Sequence, residues 1–290
     1  MNYTNNHNLP DLVVKALTHD SYSKGQSNRS VTTLIDSPRV RILRQEHDDE
    51  ITDDVSDRAW SVLGTAVHGV FESQRSEGYV VEERLYAELD NWVISGAIDV
   101  QRTEGDGTVT LLDYKCTSVW SVLDGAKDEW IKQLNFYAWL MWVSKGISVH
   151  GLQVIAILRD WQRKKAQLDS SYPQSPIVVV DVPLLADEEI NSFVHNSVRR
   201  HSDAEFERLT GGDLPLCSDS ERWMKPTKYA VKKIGGKRAL RVFDTQIEAE
   251  AMLSDGLEIE VRKGEYTRCK DDWCRVSRWC DQYQGELNAI

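Results

Sequence analysis

The sequence predicts an α/β fold in which a mixed central sheet is flanked by helices and followed by a small cysteine-rich module. Three observations lead to this prediction. Helix-like and strand-like segments alternate over residues 30–210. Asp106-Gly107 lies between two strand-like runs in residues 95–117 and therefore marks a β-hairpin. Four of the five cysteines follow the glycine-containing stretch 211–215, which predicts a boundary there.

The composition is that of a folded protein without a membrane anchor. Of the 290 residues 41% are hydrophobic, with ten tryptophans and ten tyrosines, which is typical of globular rather than disordered chains. The chain holds no run of about 18 apolar residues, so no transmembrane helix is expected. The first ten residues lack the basic and apolar regions of a signal peptide. We therefore expect a cytoplasmic location.

The net charge of −11 does not predict tight, salt-resistant binding to duplex nucleic acid. An acidic pocket can still bind a polyanion when metal ions invert its local charge. Basic residues cluster at 159–165, 199–201 and 225–241. Each cluster either faces a polyanion or is an ordinary solvated surface, and the sequence favours neither reading.

The segments before the predicted core are polar or short. Residues 1–29 are expected to form a polar tail with a short amphipathic helix over 9–18. The core is predicted to span 30–210, and a serine or threonine at its start can cap a helix. The acidic stretch 46–57 is predicted to be a loop near the rim of a site.

A helix and a strand precede the hairpin. The helix is predicted over 60–71 and carries His68; on an apolar helix a lone histidine is more often a core residue than a ligand. The strand is predicted over 79–89, with Glu82 and Glu83 on opposite faces. Either face of the strand could border a metal, and neither glutamate is assigned as a ligand.

The hairpin carries the charges that suggest catalysis. A turn at 104–107 places Asp99 opposite Leu112 or Asp113 by antiparallel counting. Asp113 and Lys115 are two residues apart on one strand, so their side chains leave the same face. Two carboxylates and an ammonium at one end of an apolar hairpin suit a divalent-metal phosphodiesterase, in which the lysine positions or activates the attacking water. The alternative is an exposed surface pair worth less than about 1 kcal/mol.

The rest of the predicted core is one long helix followed by two strands and a second helix. Gln133 and Tyr137 lie four residues apart on the first helix and therefore share a face. The aromatic residues around them are normally core. The predicted segments are a helix at 124–145, strands at 151–159 and 177–182, and a helix at 187–209.

The C-terminal module at 211–290 contains the cysteines Cys217, Cys269, Cys274 and Cys280. Four thiolates complete either a tetrahedral zinc site or a cubane iron–sulfur cluster, and four independent thiols are the alternative. Between Cys217 and Cys269 we predict strands near 228–234, 239–243 and 257–262 and a helix over 245–254. Its basic residues suggest a surface that guides DNA: Lys232, Lys233, Lys237 and Arg238.

In combination, these motifs resemble the RecB-like branch of the PD-(D/E)XK nuclease superfamily. The motifs are His68, G-x-I-D ending at Asp99, D-x-K at Asp113 and Lys115, and Q-x-x-x-Y at Gln133 and Tyr137. They look closest to phage and CRISPR-associated RecB-like exonucleases and more loosely similar to the AddB nuclease domain, and the match covers residues 30–137. The resemblance implies a restriction-endonuclease-like core. It also implies Mg²⁺ or Mn²⁺ bound by His68, Asp99 and Asp113 with help from the Tyr114 carbonyl, a catalytic Lys115, and Gln133 and Tyr137 contacting DNA or bracing the site.

Relatives in this branch that carry a [4Fe–4S] cluster take one cysteine from before the catalytic core and three from after it. The C-x5-C spacing of Cys274 and Cys280 resembles the end of that trio, whereas the spacing from Cys269 to Cys274 is C-x4-C, longer than usual. Ser37 stands near the position expected for the upstream cysteine. Cys217 is then the candidate fourth ligand, and zinc becomes as credible as iron–sulfur.

We therefore expect a Mg²⁺- or Mn²⁺-dependent deoxyribonuclease that acts from DNA ends in phage-type recombination, repair or processing. The expected partners are single-stranded or duplex DNA ends and a recombination or single-strand-binding protein, with no membrane. If the chain is phage-encoded, its location is the host cytoplasm. The alternative is a catalytically silent DNA-binding subunit that keeps the nuclease fold and a zinc or iron–sulfur module. A third reading is a zinc-dependent nucleic-acid regulator in which the hairpin charges are a surface pair.

Overall fold

The computed structural model describes residues 2–19, 25–271 and 273–288. The chain divides into two compact units. The first unit comprises Met1–Pro38 and Thr52–Gly212, and the second comprises Arg39–Ile51 and Asp213–Ile290. The expected core at 30–210 included Arg39–Ile51, which groups instead with the C-terminal residues. The first unit ends at Gly212, inside the expected boundary stretch 211–215.

The first part of the described chain contains helices and strands in mixed order and ends with a long helix at Leu209. They are β1 Asn2–Thr4, α1 Asp11–Thr18, β2 Arg29–Ser30, α2 Val31–Leu34, α3 Pro38–Glu46, β3 Thr52–Asp54, α4 Ala59–Glu72, β4 Tyr79–Leu89, β5 Trp92–Thr103, β6 Val109–Thr117, α5 Asp128–Lys145, β7 Val149–Leu158, α6 Arg163–Leu168, β8 Ile177–Asp181 and α7 Asp187–Leu209. Short 3₁₀ turns span Val55–Arg58 and Val119–Ser121.

The first unit is built on a mixed sheet. In the described chain this sheet has the order β2-β5-β6-β7-β8, with β4 paired to β5. Strands β4, β5 and β6 are antiparallel neighbours, β6 and β7 are parallel, and β8 runs antiparallel to β7. Helix α5 makes the crossover that a parallel pair requires. The prediction of a mixed central sheet with helices is confirmed.

Helix α5 is the largest part of the core because it is apolar on most of its surface. Its inward side chains, including Leu134, Phe136 and Leu140, are fully buried in the same cluster as the sheet residues. Gly96 on β5 allows this close approach. A Cβ atom at that position would stand 2.6 Å from a ring carbon of Tyr137, which is closer than packed atoms tolerate. The sequence therefore brings the polar face of α5 directly over the hairpin.

The hairpin has the predicted turn and register. The Gly107 amide donates to the Glu104 carbonyl at 2.9 Å, and the Glu104 amide donates to the Thr108 carbonyl. Strand pairing joins Val100 to Leu112, so the next position places Asp99 level with Asp113. This is one of the two alignments expected from counting.

The expected polar tail contains structure. Strand β1 pairs in parallel with β3, through Tyr3 and Asp53. β3 lies inside the acidic stretch 46–57 that was expected to be a loop. The Asp54 carboxylate accepts hydrogen bonds from the amides of Asn6 and Ser56, which lowers its pKa. A short polar sequence thus gains its order from a long-range pairing partner. Residues 20–24, within the expected 1–29 segment, lie outside the described chain.

The second unit carries a small antiparallel sheet. Its elements in the described chain are β9 Met224–Lys225, β10 Lys228–Lys233, β11 Ala239–Phe243, α8 Gln246–Ala251, β12 Leu257–Arg262, β13 Glu265–Tyr266, α9 Thr267–Lys270, a 3₁₀ turn Ser277–Trp279 and α10 Asp281–Asn288. The sheet has the order β11-β10-β12, and α8 contacts β10 and β11. Among the described residues, no helix has the length and apolar character needed to cross a bilayer.

Candidate active site

Three elements of the first unit bring His68, Glu82 and Asp99 together. His68 lies on α4, Glu82 on β4 and Asp99 on β5, and one ligand atom from each lies within 4.8 Å of the others. The Nδ1 atom of His68 is 3.4 Å from an Asp99 oxygen and 3.6 Å from a Glu82 oxygen. An imidazole nitrogen and two carboxylate oxygens are donor types that divalent metals accept.

The hydrogen bond of His68 Nε2 determines which tautomer the ring adopts. Its Nε2 is 3.1 Å from the Tyr114 carbonyl oxygen, which can only accept, so Nε2 carries the proton and donates. In the neutral ring the lone pair of Nδ1 then faces two carboxylates. Such a group of acceptors is stable only with a proton or a cation between its members. The Tyr114 carbonyl, expected to help bind the metal, orients the histidine here.

The pKa values of His68 and Asp99 are both raised, as expected for a cluster that lacks positive charge. The pKa of His68 is raised, first by its hydrogen bond with Glu82 and then by the charges of Asp99 and Asp113, against the effect of burial. Burial raises the pKa of Asp99 to about 7, and the charge of Asp113 adds to it. The Tyr114 amide donates to Asp99 at 2.7 Å and partly opposes this shift. At neutral pH and without metal, protons therefore stay in the cluster.

Asp113 and Lys115 form a second cluster beside the first. Asp113 is only 2% exposed, and its Oδ2 is 2.6 Å from the Lys115 ammonium. Oδ2 is therefore engaged by the lysine, and among the described residues it has no other polar partner. Burial alone would lower the pKa of Lys115, but the charge of Asp113 outweighs it and the pKa is raised. The Asp113 carboxylate is buried and the Lys115 side chain is 26% exposed, so the pair is partly buried and is not the exposed surface pair that was the alternative.

Helix α5 braces Asp113 through the predicted pair on its polar face. The Gln133 side-chain amide donates to Asp113 Oδ1 at 3.1 Å and lies 3.0 Å from the Tyr137 hydroxyl. The ring of Tyr137 packs over Gly96. Gln133 and Tyr137 thus brace the acid, as one of their two expected roles required.

Aromatic contacts close to the histidine anchor helix α4 to the sheet. Phe71 stacks on Tyr114 with ring centroids 4.4 Å apart, and His68 lies three residues earlier, almost one helical turn. The ring of His68 meets the same tyrosine edge-on at 6.0 Å. Tyr114 therefore sets the position of His68 with its ring and its carbonyl oxygen.

Glu82 is the member of the His68–Glu82–Asp99 cluster that the sequence analysis did not assign as a ligand. It has φ +50°, in the left-handed region, although it lies inside a strand. Its neighbours keep regular pairing, Val81 with Val100 and Glu83 with Ile98. Such a conformation costs a non-glycine residue about 1–3 kcal/mol and is found mainly at functional sites. Strand alternation holds no signal for this local turn.

Glu83 shows what an ordinary glutamate does on the same strand. Its carboxylate pairs with Lys145 at 2.7 Å, and the charge and hydrogen bond of that lysine help to lower its pKa against the effect of burial. Two adjacent glutamates thus differ sharply in surroundings, which makes them a matched pair for experiment.

No protein-family model matches the chain, and no curated protein matches it significantly. Among solved structures, it is similar to the crystal structure of SSO0001, with 17% sequence identity, a TM-score of 0.44, and coverage of 65% of this chain and 84% of that one. The comparisons name no activity, so function is inferred from the chemistry of the site.

The second unit gathers the four C-terminal cysteines around one cavity, which Arg39 and Arg222 also line. Cys269, Cys274 and Cys280 are buried, and Cys217 is half-buried. Burial is the main reason why the pKa of Cys274 is raised. Arg39 is almost fully buried, and its guanidinium lies 3.9 Å from the sulfur of Cys280. The guanidinium groups of Arg39 and Arg222 therefore lie close to the cysteines and would stabilise thiolates there.

Proposed function

We propose that the chain is a Mg²⁺- or Mn²⁺-dependent DNA nuclease with a PD-(D/E)XK core of the RecB-like type. The observation that carries the proposal is the convergence of His68, Glu82 and Asp99 beside the partly buried Asp113–Lys115 pair. Burying this much charge is costly unless a partner compensates it. A divalent cation is the partner that the three converging acceptors of His68, Glu82 and Asp99 fit best.

The residues of the chain have separable tasks in this proposal. His68, Glu82 and Asp99 would hold the metal. Asp113, the further ligand that the resemblance implies, is engaged by Lys115 and Gln133, so its oxygens would be shared between these donors and the metal. A bound metal supplies a Lewis acid and lowers the pKa of water. The bond from His68 to the Tyr114 carbonyl fixes which nitrogen faces the metal.

Lys115 is the residue proposed to act on the reacting groups. Its raised pKa keeps the ammonium charged, so it would orient the nucleophile and stabilise negative charge on the phosphate. Gln133 holds Asp113 in place against it, and Tyr137 holds Gln133. Action at DNA ends, a role in phage-type recombination or repair, a single-strand-binding partner and a cytoplasmic location remain predictions from the resemblance.

Cleavage should require metal and should need less metal as the pH rises. Asp99, with a pKa of about 7, and His68, with a raised pKa, must lose protons before a cation binds. The half-saturating Mn²⁺ concentration should therefore fall between pH 6 and 7 by up to about tenfold per pH unit for each proton released, and less at higher pH. The measurement is hydrolysis of end-labelled single-stranded and duplex DNA with Mg²⁺, Mn²⁺ or EDTA.

Two results would contradict the proposal. Cleavage that continues in EDTA would remove the metal from the mechanism. DNA binding without cleavage under every metal and pH condition would instead favour the catalytically silent subunit.

For the second unit we propose a [4Fe–4S] cluster bound by Cys217, Cys269, Cys274 and Cys280. All four thiols line one cavity, and three of them are buried. Four thiolates complete either a cubane cluster or a tetrahedral zinc site. The C-x5-C spacing of Cys274 and Cys280, which resembles that of relatives with a cluster, favours the cubane. The nearby Arg39 and Arg222 would offset its negative charge.

Anaerobically purified protein should contain about four iron atoms per chain and absorb visible light. Cys280→Ser should lose most of the iron, whereas Cys116→Ser, a change in the first unit, should keep it. Stoichiometric zinc without a visible spectrum would overturn the iron–sulfur assignment, since zinc is d¹⁰. Absence of both metals from wild-type protein would favour the alternative, in which the four cysteines are independent thiols.

A further inference from the structure

Near Lys115, the guanidinium of Arg159 lies over the ring of an exposed tryptophan, Trp60. Trp60, in the first turn of α4, is 59% exposed. The guanidinium carbon of Arg159 lies 4.7 Å from the centroid of its ring. A cation over an aromatic face attracts it even in water, by about 0.5–1 kcal/mol. The pair therefore holds a large flat surface open to solvent.

The sheet places this pair close to Lys115. The Arg159 amide donates to the Thr117 carbonyl at 2.9 Å, and Thr117 is two residues after Lys115 on β6, about 7 Å along the strand. On α4, Trp60 precedes His68 by eight residues, about 12 Å along the helix axis. A DNA strand bound at the site would therefore reach the Trp60 indole within one or two nucleotides of the position next to Lys115.

A second exposed tryptophan belongs to the same corner. Trp120 is 79% exposed and lies in the 3₁₀ turn that follows β6. The turn is fixed from below, because Val119 is buried and its amide donates to the Asp160 carboxylate at 2.7 Å. Asp160 adjoins Arg159, so one pair of residues supports both indoles. Both indoles are therefore held at the surface by specific contacts: Trp60 by Arg159, and the turn that carries Trp120 by Asp160.

The charge of this corner differs from that of the whole chain. Arg159 is followed closely by three consecutive exposed basic residues at the start of α6: Arg163, Lys164 and Lys165. A basic strip beside aromatic surfaces is the usual arrangement for binding an unpaired strand, because phosphates meet the cations and bases stack on the rings.

We propose that Trp60, Arg159 and Trp120 form a stacking platform that receives unpaired bases, so the substrate at the site is single-stranded DNA or the frayed end of a duplex. The inference rests on the proposed nuclease function and adds its substrate class. In an intact duplex the bases are already stacked on each other and offer no free face except at an end. Two open indoles gain most from bases that have left the stack.

The test is the affinity for a fluorescein-labelled oligothymidine of about 20 nucleotides in EDTA, where cleavage is blocked. Trp60→Ala and Trp120→Ala should each weaken binding about 5- to 100-fold, and Trp60→Phe much less. Trp142→Ala is the matched control, because Trp142 is 60% exposed on α5 and lies outside the corner. Circular dichroism establishes that each variant is folded.

An oligonucleotide with abasic positions distinguishes base stacking by Trp60 from a purely structural role of that residue. A structural role would give the same loss of affinity with and without bases. The penalty of Trp60→Ala should disappear on that oligonucleotide, because no base is left to stack. Equal binding by Trp60→Ala and Trp142→Ala, an equal loss on blunt duplex, or no wild-type affinity for oligothymidine would each overturn the platform. Metal-dependent cleavage is scored separately, so either inference can fail while the other stands.

Discussion

Replacing Lys115 by methionine is expected to lower the rate of DNA cleavage by about 10²–10⁴-fold. Methionine keeps much of the length of the side chain and removes the ammonium that lies 2.6 Å from Asp113. The charge that orients the nucleophile and stabilises the phosphate is then lost. The measurement is the single-turnover rate on end-labelled DNA at saturating Mg²⁺.

A loss of activity must be separated from a loss of folding. Without Lys115, the buried Asp113 keeps only the Gln133 amide as a donor, and breaking a buried ion pair costs about 3–5 kcal/mol. The double variant Asp113→Asn/Lys115→Met removes both charges and should recover most of that stability without recovering cleavage. Lys132→Met, which breaks the exposed pair with Asp128 on α5, should leave both properties unchanged. A double variant that cleaves at the wild-type rate would refute the role of the pair.

Glu82→Gln is expected to weaken Mn²⁺ binding by at least about 10–100-fold, the loss found even for residues that only support a ligand. The amide keeps the shape of the side chain but removes the charge 3.6 Å from His68. Titration calorimetry on the folded variant measures the change directly. DNA cleavage should fall in parallel at limiting metal and recover in part at high metal.

The neighbouring glutamate supplies the control. Glu83→Gln removes the partner of Lys145, a half-exposed pair whose loss costs about 1 kcal/mol or less, and it should bind Mn²⁺ as the wild type does. Glu82→Gly offers a second signature. It should lose the same affinity yet raise the free energy of unfolding by about 1 kcal/mol, because glycine adopts positive φ without strain. Equal Mn²⁺ affinity in Glu82→Gln and Glu83→Gln would remove Glu82 from the site.

The parts of the site that follow from local rules could be predicted from the sequence. The Asp-Gly turn fixes the hairpin register, and the register places Asp99 level with Asp113. Helical periodicity places Gln133 and Tyr137 on one face, where they meet Asp113. These rules act over a few residues, so a single sequence contains them.

The rest depends on distant partners or on local strain. Glu82 enters the cluster through a left-handed residue inside a strand, which alternation does not encode. The acidic stretch 46–57 becomes partly a strand only because residues 2–4 pair with it. Arg39–Ile51 joins residues more than 160 positions away, including Asp281, which pairs with Arg39. Tertiary contacts of this kind override what short windows indicate.

Helix α4 gives the proposed cation a second consequence. The helix is strongly apolar, yet each of its fourteen residues, all within the described chain, keeps some contact with solvent. Burial therefore contributes little to holding it, and a metal shared between His68 and two strand carboxylates would act as a cross-link to the sheet. Removing that cross-link should lower hydrogen-exchange protection along α4 before the sheet is affected.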